Sequence, residues 1–174
     1  MLVTSLENYR KMSIKLIELP KNSDLHKFIK KGDFVDCYNN DDVNESISIT
    51  QATMVALAQM PKWVDGLMKI RNFAVSFYGL KTGADIAKMP LDKTNFIVGD
   101  HIGLFRIQSI TKDEILIGED DKHLNFLISI LRHKGGISLA TWVQTHNWFG
   151  RIYLKTIMPF HKIIVRNAVQ RISE

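Results

Sequence analysis

A single cysteine, Cys37, among 174 residues leaves no internal disulfide framework and favours a reducing compartment. Long apolar runs are missing too: no stretch approaches the roughly 20 residues that a bilayer span requires. The opening MLVTSLENYRKMSIKL lacks the apolar core, about 7–15 residues long, that marks a secretory leader. These absences predict a cytoplasmic protein with no membrane span. Charge blocks, low-complexity tracts and internal repeats are also lacking, which argues against wholesale disorder.

Several chemistries lose their usual signatures in the same way. There is no G-x-G-x-x-G, no P-loop and no G-x-S-x-G nucleophile turn, so nothing points to a nucleotide cofactor or to serine nucleophilic catalysis. His123, His146 and His161 show no H-x-x-x-H spacing and Cys37 lies far from them, so neither a metal nor another cofactor is expected. The formal charge is +5 with a pI near 9.3. Its basic residues are scattered, however, from Lys27, Lys30 and Lys31 to Arg166 and Arg171, so no nucleic-acid partner is expected.

What is present is the composition of a globular protein: 45% apolar and 24% charged residues. Residues 1–13 read as a lead-in and 14–174 as one domain. Ile14 to Leu19 is apolar and stopped by Pro20, and Asn22-Ser23-Asp24 offers caps for a short helix carrying Leu25, Phe28 and Ile29. Asp33 to Tyr38 reads as a strand and the polar run after it as a turn. Ser48 and Gln51 form a capping box ahead of a helix. A second helix follows Pro61, with Trp63, Leu67, Ile70, Ala74 and Phe77 on one stripe and Gly79 as its cap. Residues 80–100 have no strong period and suit a lid or a short hidden element.

From Gly103 the pattern turns to strands. GLFRIQSI, EILIGE, HLNFLISILR and ISLATWVQTHN are separated by short polar or glycine turns, which requires an antiparallel meander. In the third, Leu124, Phe126, Ile128 and Ile130 share one face, and the opposite face is mixed enough to read as wetter. Trp148 to Ile172 is helical again, with Tyr153, Ile157, Phe160, Ile164, Ala168 and Ile172 as its stripe and Pro159 as an expected kink. Such a helix buries its stripe best across the concave face of the sheet.

This order of elements resembles the helix-grip superfamily (START-like, SRPBCC-type), which includes START-type lipid carriers, plant pathogenesis-related allergens and bacterial polyketide cyclases. KIRNFAVSFYGLK (69–81), DKHLNF (121–126) and GRIYLKTIMPFHKIIV (150–165) look like an uncharacterised bacterial family of domains of unknown function. Its members occur alone or attached to short-chain-reductase-like domains. The resemblance implies an α+β fold in which a curved antiparallel sheet wraps around a long kinked C-terminal helix, with a ligand cavity between them.

Candidate site residues follow from burial and chemistry. Arg71 lies at the margin of the Trp63–Leu67 stripe and needs a partner such as Asp100, Glu119 or Asp121; it either ties helix to sheet or orients a ligand carboxylate or phosphate. Asp121 and His123 stand two apart at a strand start, so they share a face and suit either acid–base work or turn hydrogen bonding. His161, beside Phe160, reads first as a satisfied core histidine. Trp63, Phe126, Trp142 and Tyr153 are expected around the interior, as core or as the apolar wall of a pocket.

Three functional classes remain open. A binder of a small apolar or amphipathic molecule needs a pocket with few polar groups. A cyclase, dehydratase or isomerase needs convergent polar groups, for which Arg71, Asp121, His123 and Tyr153 are the candidates. An interaction module, beside a reductase or as a homodimer, needs a filled core and an exposed apolar patch.

Overall fold

The structure, a computed structural model, describes residues 14–44, 46–58, 95–102 and 105–173. Among the described residues seven strands form one open sheet: β1 (Ile14–Leu16), β2 (Phe34–Asn40), β3 (His101–Ile102), β4 (Phe105–Ile110), β5 (Glu114–Asp120), β6 (Leu124–His133) and β7 (Gly136–Thr145). Helix α1 spans Ile49–Ala58 and α2 spans Trp148–Arg171. The sheet order is β1-β2-β7-β6-β5-β4-β3, and every neighbouring pair is antiparallel. The meander is therefore β3 to β7, with β2 paired to the far side of β7.

Local chemistry accounts for the boundaries. Ser48 and Gln51 form the expected capping box, each side chain accepting from the other's backbone N–H at 3.0 and 3.1 Å. Asn147 caps α2 by accepting from the Gly150 N–H at 3.0 Å. The helix then runs unbroken through Pro159. The short helix near residue 24 is a single 3-10 turn, Asp24–Lys27, capped by Ser23. Strand β2 outlasts its expected end by two residues, because each asparagine there finds partners. Asn40, fully buried, donates to the Val169 carbonyl at 3.1 Å and accepts from the Asp42 N–H, while Asn39 donates to the Gly135 carbonyl.

The sheet is covered on both faces, which explains the near-continuous burial of β5 and β7. On one face Tyr38, Ile107, Ile115, Ile117, Ile130, Ile137 and Leu139 pack under α1 and α2. On the other, Leu116, Leu127, Ala140, Cys37 and Trp142 are covered by Ile17, Leu19, Leu25 and Ile29. The face of β6 that reads as wetter in sequence is thus a second core, with Leu127, Ser129 and Leu131 all buried. A buried carboxylate fastens its cover: Glu114 accepts from Ser23 Oγ (2.6 Å), the Asp24 N–H (2.7 Å) and Ser129 Oγ (2.5 Å).

Cys37 lies in this second core, 1% exposed. Burial pushes its thiol pKa up to about 12, a hydrogen bond with Ser138 partly offsets this, and the Asp36 charge adds to it. Thiolate is the reactive species. Native protein at pH 8 should therefore react with iodoacetamide about a thousandfold more slowly than the same protein in denaturant. Mass spectrometry after timed quenching checks this; native labelling at the denatured rate would contradict the burial.

Among the described residues no helix is long and apolar enough to cross a membrane.

Candidate functional site

Helix α2 meets the sheet along a register that simple geometry reproduces. His161 lies over Asp36, and the Val169 carbonyl lies over Asn40. Eight helical residues rise about 12 Å and four strand residues about 13 Å, so α2 runs alongside β2 in step with it. The two halves of the helix differ in how they use that track. Val165, Ala168, Val169 and Ile172 are buried. Tyr153, Leu154, Ile157 and Met158, equally apolar, are only half-buried. The C-terminal half is clamped to the sheet, further held by the Arg171 guanidinium donating to the Ala56 carbonyl on α1 at 2.5 Å.

At the N-terminal half a cleft of about 340 Å³ opens between helix and sheet. It is lined by Phe34 and Val143 from the sheet, Leu154, Arg151 and Lys155 from α2, and Gly32, Asp33 and Thr145 at the edge. Phe34 and Val143 are register partners and form one row of its floor. The next row of the same face pairs Asp36 with Thr141. Asp33 is already engaged by Trp142 Nε1 (2.8 Å) and the Lys30 N–H (2.9 Å). Arg151 and Lys155 are exposed and make no ion pair among the described residues.

Three polar groups gather where the floor passes under the clamped helix. His161 Nε2 lies 3.2 and 3.0 Å from the two Asp36 oxygens, in a pair whose side chains are 18% and 9% exposed. With Nε2 committed to the carboxylate, Nδ1 makes no hydrogen bond among the described residues. The Phe34 ring meets the imidazole edge-on at 5.9 Å between centroids. Thr141 Oγ1 is buried and has no hydrogen-bond partner among the described residues. Tyr38 follows Asp36 on the same face; burial pushes its phenol pKa up, the Asp36 charge adds to this, and Arg166 partly offsets it.

The sequence-predicted residues are distributed differently. Trp63, Leu67 and Arg71 lie outside the described residues, as do residues 80–94 of the proposed lid. Asp121 and His123 do not pair through the ring: Asp121 Oδ1 accepts from the His123 and Leu124 N–H groups (2.7 and 2.9 Å), a turn that starts β6. His123 instead uses Nδ1 toward Asn147 Nδ2 at 3.1 Å and packs on Phe149. Phe126 does face the helix side, packed edge-on against Phe105. Trp142 points to the opposite face, buried in the second core beside Phe28, the core alternative of its sequence reading. Tyr153 is half-buried on α2, and Phe160 is turned further outward at 41% exposure.

The histidines therefore go to separate partners, His146 to Asp120 at 2.8 Å. Among the described residues no three His, Cys, Asp or Glu side chains gather as a metal site. Asp36 and Thr141 escaped the sequence reading, although Asp36 carried a signal. Alternation places it between Phe34 and Tyr38 on a core face, where a carboxylate needs a partner. A second depression, about 460 Å³ around Arg132 to Gly136, is built from groups already engaged: Arg132 donates to the Ile47 carbonyl and His133 Nε2 pairs with Asn39.

Residues 28–168 match a family model described as a protein of unknown function, DUF2867. No curated protein and no solved structure matches the chain. The match covers most of the sequence, so the chain belongs to that family.

Proposed function

We propose that this member of the DUF2867 family is a helix-grip protein that binds a small apolar or amphipathic molecule in the cleft between its sheet and the first half of α2. The observation that carries the reading is the asymmetry of α2. One half is sealed onto the sheet, while the other holds Leu154 and Ile157 only half-buried beside an open cleft. Apolar surface left this way gains about 25 cal/mol per Å² when a ligand covers it. An apolar floor with a few polar groups at its ends is the usual makeup of a small-molecule site.

Native and denaturing mass spectra of freshly purified protein test the proposal. A small, largely apolar species released on unfolding, or a one-to-one adduct formed on adding decanoate, is the expected result. Neither a released species nor an adduct would overturn it.

A further inference from the structure

Helix α2 turns one side to the sheet, and its outer side carries two parallel rows of different chemistry. Trp148, Ile152, Pro159 and Ile163 follow one another at helical spacing and form the first row. All four are exposed, Trp148 by 66% and the two isoleucines by more than half. Thr156 fills the gap between Ile152 and Pro159, and its hydroxyl is already spent on the Ile152 carbonyl at 2.9 Å. The second row lies three residues further on at every step: Arg151, Lys155, Lys162 and Arg166. These four are exposed, and none makes an ion pair among the described residues. Across its 24 residues α2 holds no aspartate or glutamate. A solvated helix face ordinarily mixes charges of both signs; here a positive row flanks an apolar one over about 22 Å.

We infer that the outer face of α2 docks on an anionic lipid surface, with the helix lying in the plane of the interface. Trp148, Ile152 and Ile163 enter the boundary between headgroups and acyl chains, while the cationic row meets the lipid anions. Charge selects this occupant. A second copy would set cationic row against cationic row, with no carboxylate on either helix to pair them. A nucleic acid would meet the cations but leave Trp148 and both isoleucines in water. The helix is presented ready-made, because Val165, Ala168, Val169 and Ile172 hold its inner side to the sheet. It lies on the bilayer without crossing it, since it is not apolar enough to span one.

Flotation of the full chain with vesicles tests this, using phosphatidylcholine alone or with about one-third phosphatidylserine. Wild-type protein should bind the anionic vesicles about tenfold more tightly than the neutral ones, and lose that preference at about 0.5 M salt. Lys162 and Arg166 do not line the cleft, so they carry the charge test. Lys162→Gln with Arg166→Gln should weaken binding about 25-fold, at about fivefold per cation, whereas Lys162→Arg should bind as wild type. Ile152→Ser with Ile163→Ser should weaken it about tenfold. Binding should shift tryptophan emission to shorter wavelength, and Trp148→Phe should abolish the shift. Circular dichroism confirms that each variant folds. No flotation with anionic vesicles would overturn the inference; a dimer by light scattering, lost in the double serine variant, would then assign the face to a second copy. Flotation undiminished in either double variant would place the contact on another surface and equally overturn it.

Discussion

Replacing Glu114 by alanine is expected to lower the unfolding free energy by about 3 kcal/mol. The carboxylate is 4% exposed and takes three donors, two from the segment that covers the second core and one from β6. Its removal strands Ser23 Oγ, the Asp24 N–H and Ser129 Oγ, and hydrogen bonds to charged groups are the stronger ones. It also loosens the cover over Leu116, Leu127 and Trp142. Glutamine keeps one acceptor oxygen and should cost less. Urea unfolding followed by circular dichroism reads the effect as a lower midpoint at constant slope. A loss below about 1 kcal/mol would mean that the segment is held by apolar contact alone.

Gly150→Ala should destabilise the protein by about 2 kcal/mol, against the trend of helix propensity. Alanine in place of glycine inside a helix ordinarily gains about 1 kcal/mol. Here a Cβ would collide with the His123 carbonyl and come within 3.5 Å of Thr145 Cβ. That carbonyl cannot easily yield, since it accepts the His146 N–H at 2.8 Å where β6 and β7 end. The start of α2 must therefore lift from the sheet at the end where the cleft opens. Thermal unfolding decides the sign: a raised midpoint would contradict the tight crossing.

Much of the architecture is legible in the sequence where local chemistry sets it. The Ser48–Gln51 capping box, the Lys134-Gly135 hairpin and the polar turns of the meander mark their elements without reference to the rest of the chain. Faces are harder to read. ISLATWVQT is apolar on both sides because both faces are covered, so alternation alone cannot say that Trp142 turns away from α2. The second core depends on a segment whose polar residues, Ser23 and Asp24, read as simple caps until Glu114 is seen beneath them.

The candidate site is less legible still. Asp36 and His161 are 125 residues apart, and only the packing of α2 on β2 brings them together. Asp121 and His123 stand two apart, which suits either acid–base work or a turn, and turn chemistry claims the carboxylate. The unpartnered state of Thr141 among the described residues is a property of its surroundings, which no pattern in ISLATWVQT encodes.

The account rests on the cleft being the place where a ligand sits, and Leu154→Trp tests that location most directly. Leu154 lines the cleft from the helix side and is only half-buried, so a larger ring there fills open space instead of core. Decanoate should bind wild-type protein with a dissociation constant on the order of tens of micromolar and give no binding heat with the variant, which keeps its thermal midpoint. Equal binding by both proteins would place the ligand elsewhere and contradict the account.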